Sequence, residues 1–403
     1  MQSGWRIGSI LGIPLFIDRS WFIIVLLVTV SYGLDPGWQQ AWGTLAWGMG
    51  LALALLLFGS VLLHELGHSM AARFQGIAVN SITLFLFGGI ASIDQESKTP
   101  GDAFKVAIAG PLVSFFLFLV LAGISQWPAL PTPARVITGN VAQINLVLTL
   151  FNLIPGLPLD GGQVLKAGVW KLTNSRIQGV RWAARSGQIL GWIAITFGLV
   201  MAFAYEIFSG FWIALIGWFA LRNAAAYNQM SNLQEAMLSL KASDAMARDF
   251  RVVDADMTIR QFADNYLLEE NRSPVYFAAS EGRYRGLLNI EDIRTIERSQ
   301  WETLTLNHIA KPLLTIPSLR EQDPLTEAID RLETLQIPRI TVLSPADAVA
   351  GIIDRGEIVQ AIADRLGLRI PPAIIQRIKE DGQYPPGLQL ASMAKAVGEE
   401  VNA

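Results

Sequence analysis

The chain has no cysteine among its 403 residues and only three histidines. Without thiols there is no disulfide and no thiolate metal site, so a tightly held metal would have to rest on histidine and carboxylate. Charge is also scarce: charged residues make up 16% against 52% hydrophobic, and the mean hydropathy is +0.38. An ordinary soluble domain carries about 25% charged residues. The composition therefore excludes a wholly soluble protein and predicts a polytopic membrane protein. A formal net charge of -3 leaves no basic footprint for nucleic acid. No cleavable signal peptide is expected, because Arg6 and Arg19 precede an apolar run long enough to remain as an anchor.

The apolar residues are concentrated between Trp21 and Leu221, and beyond Arg222 the chain becomes charged like a water-soluble domain. An alternating stretch, Trp5 to Ile10, predicts an interfacial strand. Six spans are expected, over Trp21–Leu34, Trp42–Leu63, Phe104–Ile124, Val136–Ile154, Ile189–Tyr205 and Phe211–Leu221. With that count Arg6, Arg19, Arg73, Lys98, Lys105, Lys166, Lys171, Arg176, Arg181, Arg185 and Arg222 fall on one side and Arg135 alone on the other. Basic residues accumulate on the cytoplasmic side, so both termini are expected there.

Two of the histidines stand at the end of the second apolar run, in His64-Glu65-Leu66-Gly67-His68. Side chains four apart return to one helix face, so His64 and His68 can grip one ion together while Glu65 lies beside it. In this pattern two imidazoles bind zinc and the glutamate takes a proton from the water on the metal. A solvated helix cap or a non-catalytic metal site would read the same way locally, but ionisable residues beside a bilayer-length apolar helix are costly and point to function. The fourth span runs in the same direction as the second and ends in Asn152-Leu153-Ile154-Pro155-Gly156-Leu157-Pro158-Leu159-Asp160-Gly161-Gly162. Asp160 thus arrives at the depth of the histidines and is the best-placed third ligand, although alone it would read as a turn aspartate. The prolines break the helix where only protein or a water-filled cavity can satisfy the freed backbone.

Together these pieces resemble the site-2 protease family of intramembrane zinc metalloproteases, with Gly88-Gly89-Ile90-Ala91 and Ala109-Gly110-Pro111, opening the third span, as further matches over about residues 1–225. The resemblance implies zinc on His64, His68 and Asp160, Glu65 as the general base, and Asn152 near the reacting carbonyl. From the residues alone, Asn152 reads equally as an oxyanion donor or as a group satisfying the broken helix. A Gly-rich hairpin at about Ser81–Ile93 is implied to lie against unwound substrate, and single-span membrane proteins within the lipid bilayer are the implied substrates. Asp18 and Ser114 stand where many relatives carry His and Asn, departures that bear on substrate fit more than on chemistry.

The soluble half holds a weak repeat with a period of about 60 residues. One copy, about 242–300, runs from Ala242 through Pro274-Val275-Tyr276 to Ile293, and the second, about 306–365, runs from Leu306 through Ile337-Pro338 to Ile358. Each ends in a short apolar strand feeding a helix. The pattern is similar to a tandem pair of cystathionine-β-synthase-type (CBS) domains, which implies a cleft for an adenine nucleotide and a homodimer through the pair. Asp292 keeps the acid expected to touch that ligand, while Asn289, Asp354 and Glu357 depart from the pattern. A ligand-free dimerising scaffold is the plainer reading of the same half. His308 has no partner at ligand spacing and reads as a surface residue.

The expected chain is thus an α-helical membrane domain over 1–225, a helical linker over 226–241, a cytoplasmic α/β tandem pair over 242–365, and a helix with a loose tail over 366–403. Its expected activity is zinc-dependent cleavage of membrane helices. The alternative is a metal-binding transporter or channel with a ligand-sensing domain; transporters also carry His and Asp in membrane helices but have no particular need of Glu65 between the histidines.

Overall fold

The computed structural model describes residues 4–86, 88–205, 207–268, 275–385, 388, 390–391 and 393–394. The chain separates into two compact units, Met1–Ser231 and Asn232–Ala403.

The first unit opens with a hairpin of β1 (Trp5–Ile10) and β2 (Ile13–Ile17). Its two-residue turn places Leu11 at φ 51° and Gly12 at φ 78°, the left-handed pair that matches the twist of a tight hairpin. Asp18 then caps α1 (Arg19–Leu34), its Oδ1 accepting from Ser20 N at 2.9 Å. Pro36 cannot continue that helix, so α2 (Pro36–Trp42) leaves it at 68° with Asp35 as its cap. α3 (Leu45–Phe74) follows as one helix of 30 residues, about 45 Å long. It runs past the expected end at Leu63, because nothing in His64–Phe74 breaks a helix. The hairpin of β3 (Val79–Phe85) and β4 (Gly88–Ile93) returns to the N-terminal strands: β3 pairs parallel with β2, giving a sheet ordered β1-β2-β3-β4. The expected hairpin Ser81–Ile93 is this one, with Phe87 outside the described residues. That the N-terminal strands join it was not legible from sequence spacing.

The remaining helices of this unit are α4 (Pro100–Ser125), α5 (Thr132–Asn152), α6 (Asp160–Thr173), α7 (Arg176–Ala204) and the part of α8 (Ser209–Ser239) up to Ser231. Among the described residues α3, α4, α5 and α7 are each long and apolar enough to cross a membrane, and the bent α1–α2 pair would make a fifth. The sixth expected segment, Phe211–Leu221, is the first part of α8, which continues unbroken into the predicted linker helix. Their outward faces carry large apolar side chains such as Leu112, Phe116, Trp192 and Ile193, all more than half exposed, as lipid contact favours. Between helices the packing relies on small residues: a Cβ at Gly198 would lie 2.5 Å from Gly210 O and Ala214 N, so α7 and α8 touch backbone to backbone.

The second unit repeats one pattern twice. α9 (Ala242–Ala245), β5 (Arg251–Asp254), α10 (Ile259–Phe262), β6 (Tyr276–Ser280), β7 (Arg283–Leu288) and α11 (Ile290–Arg294) correspond in order to α12 (Leu306–Ile309), β8 (Ser318–Arg320), α13 (Leu325–Thr334), β9 (Arg339–Leu343), β10 (Val349–Asp354) and α14 (Arg355–Arg365). In each copy the first strand pairs parallel with the second and the second antiparallel with the third. Pro274, which the sequence places inside the first copy, lies outside the described residues. The copies are not self-contained: Ala242 and Ala245 of α9 are buried in the second copy's core, and Leu306 of α12 in the first copy's. Backbone bridges Ala247 to Ile352 and Lys311 to Leu287 make the same exchange. The tail is less loose than its prolines suggest. α15 (Pro372–Asp381) packs Ile375 and Ile378, and Leu390, Met393 and Ala394 are buried in the same core; residues 395–403 lie outside the described ones.

Candidate metal centre

α3 carries His64 and His68 one turn apart on its buried face, with 3% and 8% of their surface exposed. Each imidazole is held from behind. His68 Nδ1 lies 2.7 Å from Val106 O, a carbonyl that can only accept, so a proton sits on Nδ1, and in the neutral ring Nε2 is left as a lone pair. His64 Nδ1 lies 2.9 Å from Ser114 Oγ, a hydroxyl able to accept in the same way.

Asp160 is the first residue of α6, and the chain before it turns back sharply. Gly161 and Gly162 permit this return: a Cβ on Gly161 would fall 2.5 Å from Ile154 O, and one on Gly162 2.7 Å from Gly156 O. The polar groups freed by the break find partners in α7, since Leu157 N donates to Ala183 O at 3.1 Å and Ser186 Oγ to Pro155 O. Protein thus satisfies the broken backbone.

The result is a convergence of three acceptor atoms. Asp160 Oδ2 lies 3.0 Å from His64 Nε2 and 3.2 Å from His68 Nε2, and the two nitrogens are 3.3 Å apart. Three lone-pair donors at one point repel one another unless a proton or a metal ion lies between them. Corners of a tetrahedron with arms of about 2.0 Å are about 3.3 Å apart, so the spacing fits zinc with a fourth position left open. The three residues form a group able to hold a metal ion. Gly110 makes room for them: a Cβ there would overlap His68 Nε2 and lie 2.7 Å from His64 Nε2. The Ala109-Gly110-Pro111 motif accordingly sits well inside α4 rather than opening it.

Glu65, half-buried, lies against β4, where a Cβ on Gly89 would lie 2.6 Å from its Cγ. Asn152, the last residue of α5, brings Nδ2 within 3.5 Å of His64 Nε2. The two departures from the family pattern have local roles. Asp18 caps α1, whereas Ser114 is fully buried against His64 rather than turned toward a substrate. Its position was readable in hindsight: Ser114 follows Gly110 by four residues and so shares the helix face that meets the histidines.

The predicted nucleotide residue stands elsewhere. In the second unit a cavity of about 660 Å³ is lined by Asp249, Glu291, Arg294, Arg339, Asp354 and Lys379 among others. Asp292 is not on its lining and instead meets Lys311 Nζ at 2.9 Å. Asp354 caps α14 by accepting from Glu357 N at 3.0 Å, and Glu357 pairs with Lys379 of α15. His308 is exposed and bonded to Thr305, as a surface residue would be.

Comparison with known proteins identifies the class. The model of peptidase family M50 matches residues 52–133 and 135–194. A Synechocystis sp. protein named "Putative zinc metalloprotease sll0528" is 40% identical over 90% of this chain and 96% of its own length. Rip3 of Mycobacterium tuberculosis, which bears the same designation, is 31% identical over 90% of this chain and 93% of its own. A solved structure of the site-2 protease from Methanocaldococcus jannaschii is 31% identical, covering 56% of this chain and 95% of that one with a TM-score of 0.40. A peptidase family, not a transporter family, therefore accounts for the histidines with Glu65 between them, and the chain belongs to peptidase family M50, the site-2 protease family of zinc metalloproteases.

Proposed function

We propose that this zinc metalloprotease cuts the membrane-embedded or membrane-proximal helix of single-span proteins, with His64, His68 and Asp160 holding the ion and Glu65 acting as the general base. The observation that carries the proposal is the convergence of His64 Nε2, His68 Nε2 and Asp160 Oδ2 within 3.3 Å of one another, on a helix whose next side chain is a glutamate. Zinc, when bound, supplies a water acidified toward about pH 7 and a Lewis acid for the peptide carbonyl. Glu65 would accept a proton from the attacking water and return it to the leaving amine. Asn152, whose Nδ2 lies 3.5 Å from His64 Nε2, would donate to the carbonyl oxygen as charge develops there. A helix hides its carbonyls in its own hydrogen bonds, so the substrate must unwind locally. β4 is the edge strand of its sheet and lies against Glu65, which suits it to receive the unwound segment by strand pairing.

In this reading six segments cross the bilayer and both termini are cytoplasmic, as the placement of Lys and Arg favours. The second unit is a regulatory CBS-type pair; its twice-repeated parallel and antiparallel strand pairing supports this. An adenine nucleotide and a homodimer through that pair belong to the same proposal.

The test compares membrane proteomes of the native host carrying the wild-type chain or Glu65→Gln. Short membrane-anchored fragments should accumulate in the mutant alone and would name the substrates. Identical proteomes across several growth and stress conditions would count against intramembrane proteolysis.

A further inference from the structure

The helices that supply the three ligand atoms are spanned by one short loop outside the site. α3 ends at Phe74, and the side chain of the next residue, Gln75, accepts from Ser97 Oγ at 2.8 Å while donating to Asp102 O at 2.9 Å. The residue before Ser97 is Glu96, whose carboxylate meets Lys166 Nζ at 2.5 Å and Arg176 Nη2 at 2.8 Å. Lys166 lies on α6 six residues after Asp160, and only 6% of its surface is exposed. Arg176 is the first residue of α7, and a Cβ on Gly179 one turn later would lie 3.4 Å from Lys166 Cγ, so α7 covers the lysine stem. The loop begins where β4 ends, and β4 is the strand against Glu65.

We propose that the segment 94–99 is a clamp, with Glu96 and Lys166 as positioning residues that fix α6, and therefore Asp160, against the histidines of α3. The inference rests on the reading of His64, His68 and Asp160 as one zinc site. α6 needs such a restraint because the chain entering it is broken over 153–159, so no continuous helix transmits the position of α5 to Asp160. A buried ammonium stays only where its counter-charge is, which makes this ion pair directional in a way apolar packing is not. Metal sites lose function when a ligand moves by about 1 Å, so a modest slide of α6 is enough to uncouple Asp160.

The experiment measures zinc affinity of the full chain in detergent by chelator competition, for wild type, Lys166→Met, Asp160→Ala and the double variant. Lys166→Met should weaken zinc by about tenfold or more, in the range seen for residues that orient ligands, and should add nothing once Asp160 is Ala. That non-additivity is what a general loosening of the fold would not produce. Unchanged affinity in Lys166→Met beside a loss in Asp160→Ala overturns the clamp and leaves the zinc site standing. No loss in Asp160→Ala instead overturns the zinc site itself. Equal losses for Lys166→Met in both backgrounds also overturn the clamp. If Lys166→Met does not fold, Glu96→Gln on the exposed loop goes through the same cycle with the same readings.

Discussion

Gly110 stands against His68 so closely that the first atom of any side chain there would overlap the imidazole Nε2. His64 Nε2 is hardly farther, at 2.7 Å from the same point. Gly110→Ala should therefore push both rings off their common focus while α4 stays helical, since alanine is the better helix former by about 1 kcal/mol. The expected outcome is a folded protein with zinc affinity lowered at least about tenfold, as when a group that orients a ligand is lost. Full zinc occupancy in Gly110→Ala by elemental analysis would contradict this account of the site.

Glu65→Gln separates binding from chemistry. The side chain keeps its shape beside Gly89, and neither histidine loses its partner at Nδ1. Zinc content should stay at the wild-type level while cleavage falls by about 10²- to 10⁴-fold, the usual share of a general base. A variant that loses metal together with activity would place Glu65 among the ligands instead.

Ser114 Oγ lies 2.9 Å from His64 Nδ1, fully buried, and a ring whose Nε2 serves a metal donates to that hydroxyl through the proton on Nδ1. Ser114→Ala leaves that proton without an acceptor, and the ring is free to turn or to change tautomer. Zinc affinity should drop by about 10- to 100-fold, with Ser114→Thr, which keeps the hydroxyl, closer to wild type. Equal affinities for Ala and Thr variants would remove Ser114 from the support of the site.

Much of this was legible in the chain because the chemistry lies in short motifs. The i, i+4 spacing of His64 and His68 is helix geometry, and Asp160 could be placed by counting spans. What spacing could not give was the contact of elements distant in sequence. Phe16 of β2 pairs with Thr83 of β3, and nothing in either strand names the other. Ala245 is buried in a core built mainly from residues beyond 319, because each repeat lends its first helix to its neighbour. The helix after Asp160 was also unread, since Gly161 and Gly162 look like a turn until the backbone they approach is known. Leu390 and Met393 gave no periodic signal so close to the prolines, yet both are buried.

The clamp also predicts a dependence on pH. Partial burial pushes the Glu96 carboxyl up, but the charges of Lys166 and Arg176 outweigh it and hold the group below the ordinary glutamate value of 4.5. A depressed carboxylate stabilises the folded chain above its unfolded value and loses that contribution as pH falls through the folded one. Wild type should therefore melt above Glu96→Gln at neutral pH, and the difference should close as pH drops below about 4.5. A difference that is constant from pH 7 to pH 3 would mean that packing, not charge, accounts for the loss in the variant.

In the second unit the corresponding weight falls on Arg355. Only 6% exposed at the start of α14, it meets Glu333 Oε1 at 2.8 Å and donates to the carbonyls of Leu332 and Ile337 at 3.1 Å each. Those carbonyls stand at and just beyond the end of α13, where the helix leaves acceptors unpaired and favours a cation. Arg355→Met would fill the space but leave a carboxylate and two carbonyls without their donor; with Glu333 31% exposed the loss falls below the about 3–5 kcal/mol of a fully buried pair but above the about 1 kcal/mol of a surface one. Arg355→Lys should recover only part of this, because an ammonium cannot span the carboxylate and both carbonyls with a planar fork. Hydrogen exchange of the α13 and α14 amides in the full chain reads this directly. Protection in Arg355→Met within about 1 kcal/mol of wild type, the range of a surface ion pair, would show that the core formed by Leu325, Ile329 and Leu332 holds α13 without it.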